Sequence, residues 1–351
     1  MSANGLNREM LTLARESRGY TQTALAARAG ITPTLVSKFE SGVVPPTEEN
    51  LKKLAEILDY PVDFFMQSDR IYALGCSFLF HRKRKTMPVP EQRRLLAILN
   101  VTRMQIDRLL RNAEMISENS FIRMDPEQFG GPQEIARRLR VAWKIPDGPI
   151  SNVVEAVESA GGVVVRYPFK NAKASGMSWW LPELPPLFFI NSDMSGDHQR
   201  LTLSHEVGHV IMHRVPHDFI EDEANAFAAE FLLPEKLIRA DLKGLTLSRA
   251  ASLKVYWKMS MQAIIRRAKE LSCIDERRYR SLSIQISAAG FRKNEPMPIP
   301  AEKPSLLTDL VRMHLDQHGY SMDDLTRMAL LRNVREFQDV YCPGSILRIA
   351  N

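Results

Sequence analysis

Over the first sixty positions apolar residues recur three and four apart in short runs: Leu11 with Ala14, Leu25 with Ala26 and Ala29, Leu35 with Val36 and Phe39, then Leu51, Leu54, Ala55 and Leu58. This spacing predicts four or five short helices. Between the second and third lies Ala29-Gly30-Ile31-Thr32-Pro33. Gly30 can take a positive φ to end one helix, Thr32 can cap the next and Pro33 suits its first position, so a tight turn between two helices is expected. Pro45-Pro46 closes the exit of the third helix, and Thr47 followed by Glu48 and Glu49 opens a fourth with a cap and dipole-matched acids. Asp63-Phe64-Phe65-Met66 predicts a short helix packing an aromatic lid onto this bundle. Further on, Leu95, Leu96, Leu99, Met104, Ile106, Leu109 and Leu110 alternate with Arg93, Arg94, Arg103, Arg108 and Arg111, as in an amphipathic helix that serves as core or dimer face.

From Pro132 the pattern changes. A helix through Ala136, Leu139, Val141 and Trp143 runs to the turn Pro146-Asp147-Gly148-Pro149, and a second helix covers Ile150 to Ser159. Three short β-branched or aromatic runs follow, Gly161–Val165, Met177–Leu181 and Leu187–Ile190, separated by Gly, Pro and Asn; they predict a small antiparallel sheet. The next helix should start near Asp197. After Pro234 come basic helices through Leu237, Leu245, Leu253, Tyr256, Trp257, Ile264, Ile265 and Ala268, then an extended connector from Gly290 to Pro304 with four prolines, then helix again over 305–340. The expected fold is mainly α with an α+β middle domain. Its expected division is 1–68 for the N-terminal helical domain, 69–128 for a basic connector and helical segment, 129–240 for the middle domain and 241–351 for a helical C-terminal region.

With 351 residues, 44% of them hydrophobic, the chain can bury two or three cores. No run approaches the ~20 apolar residues of a membrane span and Met1 to Arg8 is polar, which predicts a cytoplasmic protein with no membrane partner. Cys76, Cys273 and Cys342 are odd in number and scattered, so a disulfide framework and a thiolate zinc site are both unexpected. Any metal would be held by His and carboxylates. Charge is uneven: residues 1–60 are neutral, 61–124 carry +5, 125–235 carry −7 and 236–351 carry +8. The basic flanks, including His81 to Lys85, suit either a phosphate backbone or solvated surface.

The densest chemistry is His205-Glu206-Val207-Gly208-His209. Two histidines four apart lie one above the other on a helix and can present two imidazoles to a single zinc ion. Glu206 is then placed to take the proton of a zinc-activated water as it attacks a peptide carbonyl, which would make the chain a metalloendopeptidase. A catalytic zinc needs a third protein ligand and one open position. An acid-rich segment, Ile220-Glu221-Asp222-Glu223-Ala224-Asn225-Ala226-Phe227-Ala228-Ala229-Glu230, arrives soon after, with alanines that let two helices pack closely. His213 as a further ligand would close the open position, so it is read as supporting or structural; His198 and His217 are read as surface residues.

Two resemblances rest on these residues. Gln22, Leu25-Ala26, Gly30-Ile31-Thr32, Val36-Ser37, Glu40, Gly42, Pro46, Leu51 and Leu54-Ala55 resemble the phage-repressor (XRE) family of helix-turn-helix domains. The resemblance implies a five-helix, DNA-binding domain in which Thr32, Thr34, Ser37 and Lys38 read base edges of a double-stranded operator and Thr21 and Gln22 position the phosphate backbone. The stretch from about Pro132 to Pro234 resembles the ImmA/IrrE family of metallopeptidases, through its HExGHxxxH and ExEANxFAAxLLxP phrases. That resemblance implies a zincin-like domain holding one Zn2+ with His205, His209 and a glutamate of the second phrase, carried to Glu223 with Glu221 as the alternate. It also implies a protein substrate such as a repressor or antitoxin-type protein, or this chain itself. Ser248–Lys254 and Ser260–Ile264 would either support this domain, the expected role, or form a second DNA contact. Together the readings describe a transcriptional regulator, possible as a homodimer, with a fused zinc endopeptidase. The alternatives are a helix-turn-helix regulator whose peptidase-like domain only senses metal or ligand, and an antitoxin-like component.

Overall fold

Three threonines set the first helices. Thr21, Thr32 and Thr47 each adopt extended backbone, and their side chains accept the N–H of Ala24, Leu35 and Asn50 to open α2 (Gln22–Ala29), α3 (Pro33–Ser41) and α4 (Glu48–Leu58) behind α1 (Arg8–Ser17). Gly30 closes α2 at φ +64°, a left-handed conformation that costs an L side chain energy, so the turn into α3 is tight as expected. The computed structural model describes residues 5–72, 88–111, 113, 117–169, 174–182 and 184–342. Cys76 and the basic stretch 81–87 lie outside the described residues.

The remaining elements are, in chain order, α5 (Val89–Leu110), α6 (Pro126–Phe129), α7 (Pro132–Ala142), α8 (Val153–Ser159), β1 (Val163–Tyr167), β2 (Gly176–Trp179), β3 (Leu187–Asn191) and α9 (Gly196–Met212). They continue with α10 (Ile220–Leu232), α11 (Glu235–Leu242), α12 (Leu247–Trp257), α13 (Met261–Glu270), α14 (Glu276–Ala288), α15 (Leu306–Asp316), α16 (Met322–Met328) and α17 (Val334–Tyr341). The fold is mainly α with one small sheet. Among the described residues no helix is long and apolar enough to cross a membrane.

Contacts divide the described residues into two units, one drawn from 5–72, 88–113 and 305–342, the other from 117–304. By this division the expected segment 69–128 is shared between the units, 129–240 joins 241–304, and 305 onwards returns to the first unit. In the first unit, α1 to α4 and the Phe64–Phe65 turn share a core with Ala97, Val101 and Met104 of α5 and with Leu330. The C-terminal helices are tied in by specific polar contacts. His314 Nε2 meets Leu109 O at 2.8 Å, the Tyr341 hydroxyl donates to Gln105 Oε1 at 2.6 Å, and Arg18 pairs with Glu336 at 2.8 Å.

In the second unit the sheet order is β1-β3-β2, with β1 parallel and β2 antiparallel to β3. The expected all-antiparallel sheet is therefore corrected: β3 inserts between the two earlier strands, which alternation along each strand cannot reveal. The sheet, α7, α8 and α9 to α14 share one core that includes Phe188, Val207, Phe227, Trp257, Ile264 and Leu282. Along the second unit's last segment, two carboxylates replace regular structure. Glu302 accepts the N–H groups of Val153 and Val154 at 2.8 and 3.1 Å, capping α8, and pairs with the buried Arg200. Glu295 does the same for α13, accepting from Met261 and Gln262, and pairs with the buried Lys254, which also holds Asp197 at 2.9 Å. The proline-rich connector is thus pinned at its polar side chains.

Removing one partner of a buried ion pair leaves the other charge uncompensated. Glu302→Ala should therefore destabilise the second unit by about 3–5 kcal/mol. Asp309→Ala, whose pair with Arg312 is exposed on both sides, should leave the thermal midpoint unchanged. Thermal or urea unfolding of the two variants checks this; equal midpoints would contradict it.

Candidate metal centre

The helix α9 presents His205 and His209 on one face because they lie four apart, with ring centroids 4.6 Å apart and Nε2 atoms 2.9 Å apart. Helix α10 crosses close by. A Cβ at Gly208 would stand 2.9 Å from Phe227 Cδ1, so only a glycine lets the two helices meet at this point, beside the fully buried Ala224 and Ala228. The carboxylate delivered by that approach is Glu221, at 3.6 Å from His205 Nε2 and 3.4 Å from His209 Nε2.

Of the two glutamates the sequence offered, the structure brings the alternate, Glu221, to this pair rather than Glu223. Residues two apart face different sides of a helix, and Glu223 turns away to His213 Nε2 at 2.9 Å and His217 Nε2 at 3.4 Å. Asn225, four residues after Glu221 and so on its face, sets its Oδ1 3.1 Å from His205 Nδ1. Accepting a hydrogen there leaves His205 Nε2 with its lone pair towards Glu221. Asn225 was missed at the sequence level, although its i,i+4 relation to Glu221 was the available signal.

Glu206 is 1% exposed, and Ser178 on β2 donates a 2.7 Å hydrogen bond to its Oε2. Ser178 lies 28 residues away on a strand and carried no signal in the sequence. His213 ends α9, buried, with Nδ1 2.9 Å from His209 Nδ1. Burial, with His217 nearby, pushes its imidazole down to about 4, and burial pushes the Glu223 carboxyl up. His198 is exposed with Nε2 3.4 Å from Ser175 Oγ. His217 is 44% exposed.

The donor set of His205, His209 and Glu221 suits a zinc ion on two counts. The three groups offer two imidazole nitrogens and a carboxylate, all within 4.8 Å of one another, and a tetrahedral ion with bonds of ~2.0–2.1 Å spaces its ligands about 3.3 Å apart. Moreover Glu221 Oε1 is buried with no hydrogen-bond partner, a costly state that a cation beside it would relieve.

The residues expected to meet DNA lie in the other unit. Thr21 and Thr32 are exposed helix caps, and Thr34, Ser37 and Lys38 are exposed along α3. Gln22 is half-buried: its amide donates to Glu40 Oε2 at 2.7 Å, and Arg15 grips the same carboxylate at 2.5 and 3.1 Å. This network locks α1, α2 and α3 together beneath the exposed residues.

Both candidate sites fall inside stretches that match known families. Residues 11–65 match the helix-turn-helix family model and residues 157–269 match the IrrE N-terminal-like domain of the M78 peptidases. The chain is therefore a DNA-binding, helix-turn-helix regulator joined to a metallopeptidase-type domain. More particularly, it joins an XRE-type helix-turn-helix to an IrrE-like domain. The second match runs on through α12 and α13, past the expected limit at 240, as their share in the common core requires. No curated protein matches the chain.

If Glu221 faces the ion and Glu223 does not, Glu221→Gln should weaken zinc binding by roughly 100-fold or more, against about tenfold for Glu223→Gln. Competition with a chromophoric chelator measures both. A larger loss for Glu223→Gln would return the ligand role to that residue.

Proposed function

We propose that this regulator is a zinc-dependent endopeptidase that binds an operator and cleaves a repressor or antitoxin-type protein, or a copy of itself. The reading is carried by one observation: His205, His209 and Glu221 converge their donor atoms while the next residue on the helix, Glu206, is buried and held by Ser178. When bound, zinc lowers the pKa of water and polarises a carbonyl. Glu206 is the general base of this reading, taking a proton from the attacking water and passing it to the departing amine. Ser178 restricts its carboxylate to one orientation. Asn225 fixes the His205 ring, and His213 fixes that of His209.

DNA binding, in this reading, uses the exposed face of α3. Thr32, Thr34, Ser37 and Lys38 reach base edges, and the Arg15–Glu40–Gln22 network orients Gln22 at the start of α2 towards phosphate.

Glu206→Gln separates catalysis from binding. The variant should keep zinc and operator affinity and lose control of a reporter driven by the chain's own upstream region. Normal regulation by this variant would mean that the second unit acts as a non-catalytic sensor. For the other unit, replacing Gln22 and Ser37 by Ala should abolish sequence-specific binding. Lys38→Ala should cost about 1–3 kcal/mol on the operator and relax its sequence preference, with binding to unrelated DNA little changed. Gel-shift titration over several salt concentrations reads both, and unchanged binding in the double variant would refute the assigned face.

A further inference from the structure

Four histidines follow at intervals of four: His205, His209, His213 and His217. Their rings lie in sequence, with successive centroids 4.6, 5.0 and 5.5 Å apart. The first two face Glu221. The last two face Glu223, and this second trio again brings two imidazole nitrogens and a carboxylate oxygen within 4.8 Å of one another. Glu223 Oε2 lies 2.9 Å from His213 Nε2 and 3.4 Å from His217 Nε2, close to the ligand spacing of a tetrahedral ion. Its environment is graded: the His213 side chain is fully buried, Glu223 is 24% exposed and His217 44% exposed. Imidazole and carboxylate donors together favour zinc or a similar borderline cation over calcium or magnesium.

We propose that His213, His217 and Glu223 form a second zinc position, weaker than the first, whose occupation loosens the ion at His205, His209 and Glu221. The second position stands on its own geometry and does not require peptide hydrolysis. The coupling additionally rests on the first trio being a zinc site.

The coupling follows from a single hydrogen. His209 Nδ1 and His213 Nδ1 are 2.9 Å apart, and one of them must donate to the other. When His209 Nε2 binds a metal, the neutral ring keeps its hydrogen on Nδ1 and donates it to His213 Nδ1. His213 must then carry its own hydrogen on Nε2, where it points at Glu223 and cannot ligate. For His213 Nε2 to bind a second ion, its hydrogen must move to Nδ1 and be donated to His209 Nδ1. That arrangement leaves a hydrogen on His209 Nε2 and removes it as a ligand of the first ion. Both positions can be filled at once only if the link between the two rings is broken, so each ion opposes the other.

The test is a zinc titration of the full chain by calorimetry and equilibrium dialysis. The wild type should bind one tight and one weaker equivalent. His217→Ala, a change at a half-exposed side chain remote from His205 and His209, should remove the weaker class and keep the tight one. Cobalt placed in the tight site should leave about tenfold faster in excess zinc from the wild type, but at an unchanged rate from His217→Ala. A single equivalent up to millimolar zinc, or a weaker class that persists in His217→Ala, overturns the second position. A weaker class that leaves cobalt release unaltered overturns the coupling. Survival of the tight class in His205→Ala would count instead against the first site.

Discussion

The candidate centre depends on one close approach, that of α9 to α10 at Gly208 and Phe227. Two imidazoles on one helix need a third donor from elsewhere, and a carboxylate reaches them only if the second helix comes within side-chain length. Gly208 inside the motif, with Ala224 and Ala228 opposite, supplies that distance. The apolar residues around them hold it: Val207, Phe227 and Phe231 belong to the same core as the sheet and the later helices. Close packing of this kind resists small displacements, so the positions of His205, His209 and Glu221 are set by the interior rather than by a loop.

What could be read from the sequence was what neighbouring residues decide among themselves. Thr21, Thr32 and Thr47 cap their helices through bonds three residues long, and Gly30 with Pro33 announces the turn, so the first four helices were legible. His205 and His209 share a face by helical periodicity alone. The pairings that failed were non-local. Nothing within Val163–Tyr167 says that it lies parallel to Leu187–Asn191, and the helical reading of 305–340 does not say which segment it packs on. Glu221 and Glu223 illustrate the same limit at finer grain. Both are acids on one helix turn, and the choice depends on the rotation of α10 against α9, which Asn225 opposite His205 reveals.

The polar interior is as organised as the apolar one. Glu230, 1% exposed, receives Arg137 at 3.0 Å and the buried Arg267 while also accepting the N–H of Glu235. Glu295 and Glu302 each combine a helix cap with a buried cation. In each case one carboxylate satisfies backbone donors and a charge together, and at Glu295 and Glu302 this lets a segment without regular structure close against the core.

Chain connectivity bears on any scheme of self-processing. The DNA-binding unit is assembled from segments on both sides of the peptidase-type unit, because 305–342 returns to α1 and α5. The main segment of the second unit, 117–304, is in effect an insert joined to the first unit at both of its ends. A single scission at either attachment leaves the halves tethered through the other. Liberating the helix-turn-helix unit therefore requires at least two cuts, and even then its C-terminal helices would be retained only by non-covalent packing. One cut would change how freely the halves move, not whether they remain together.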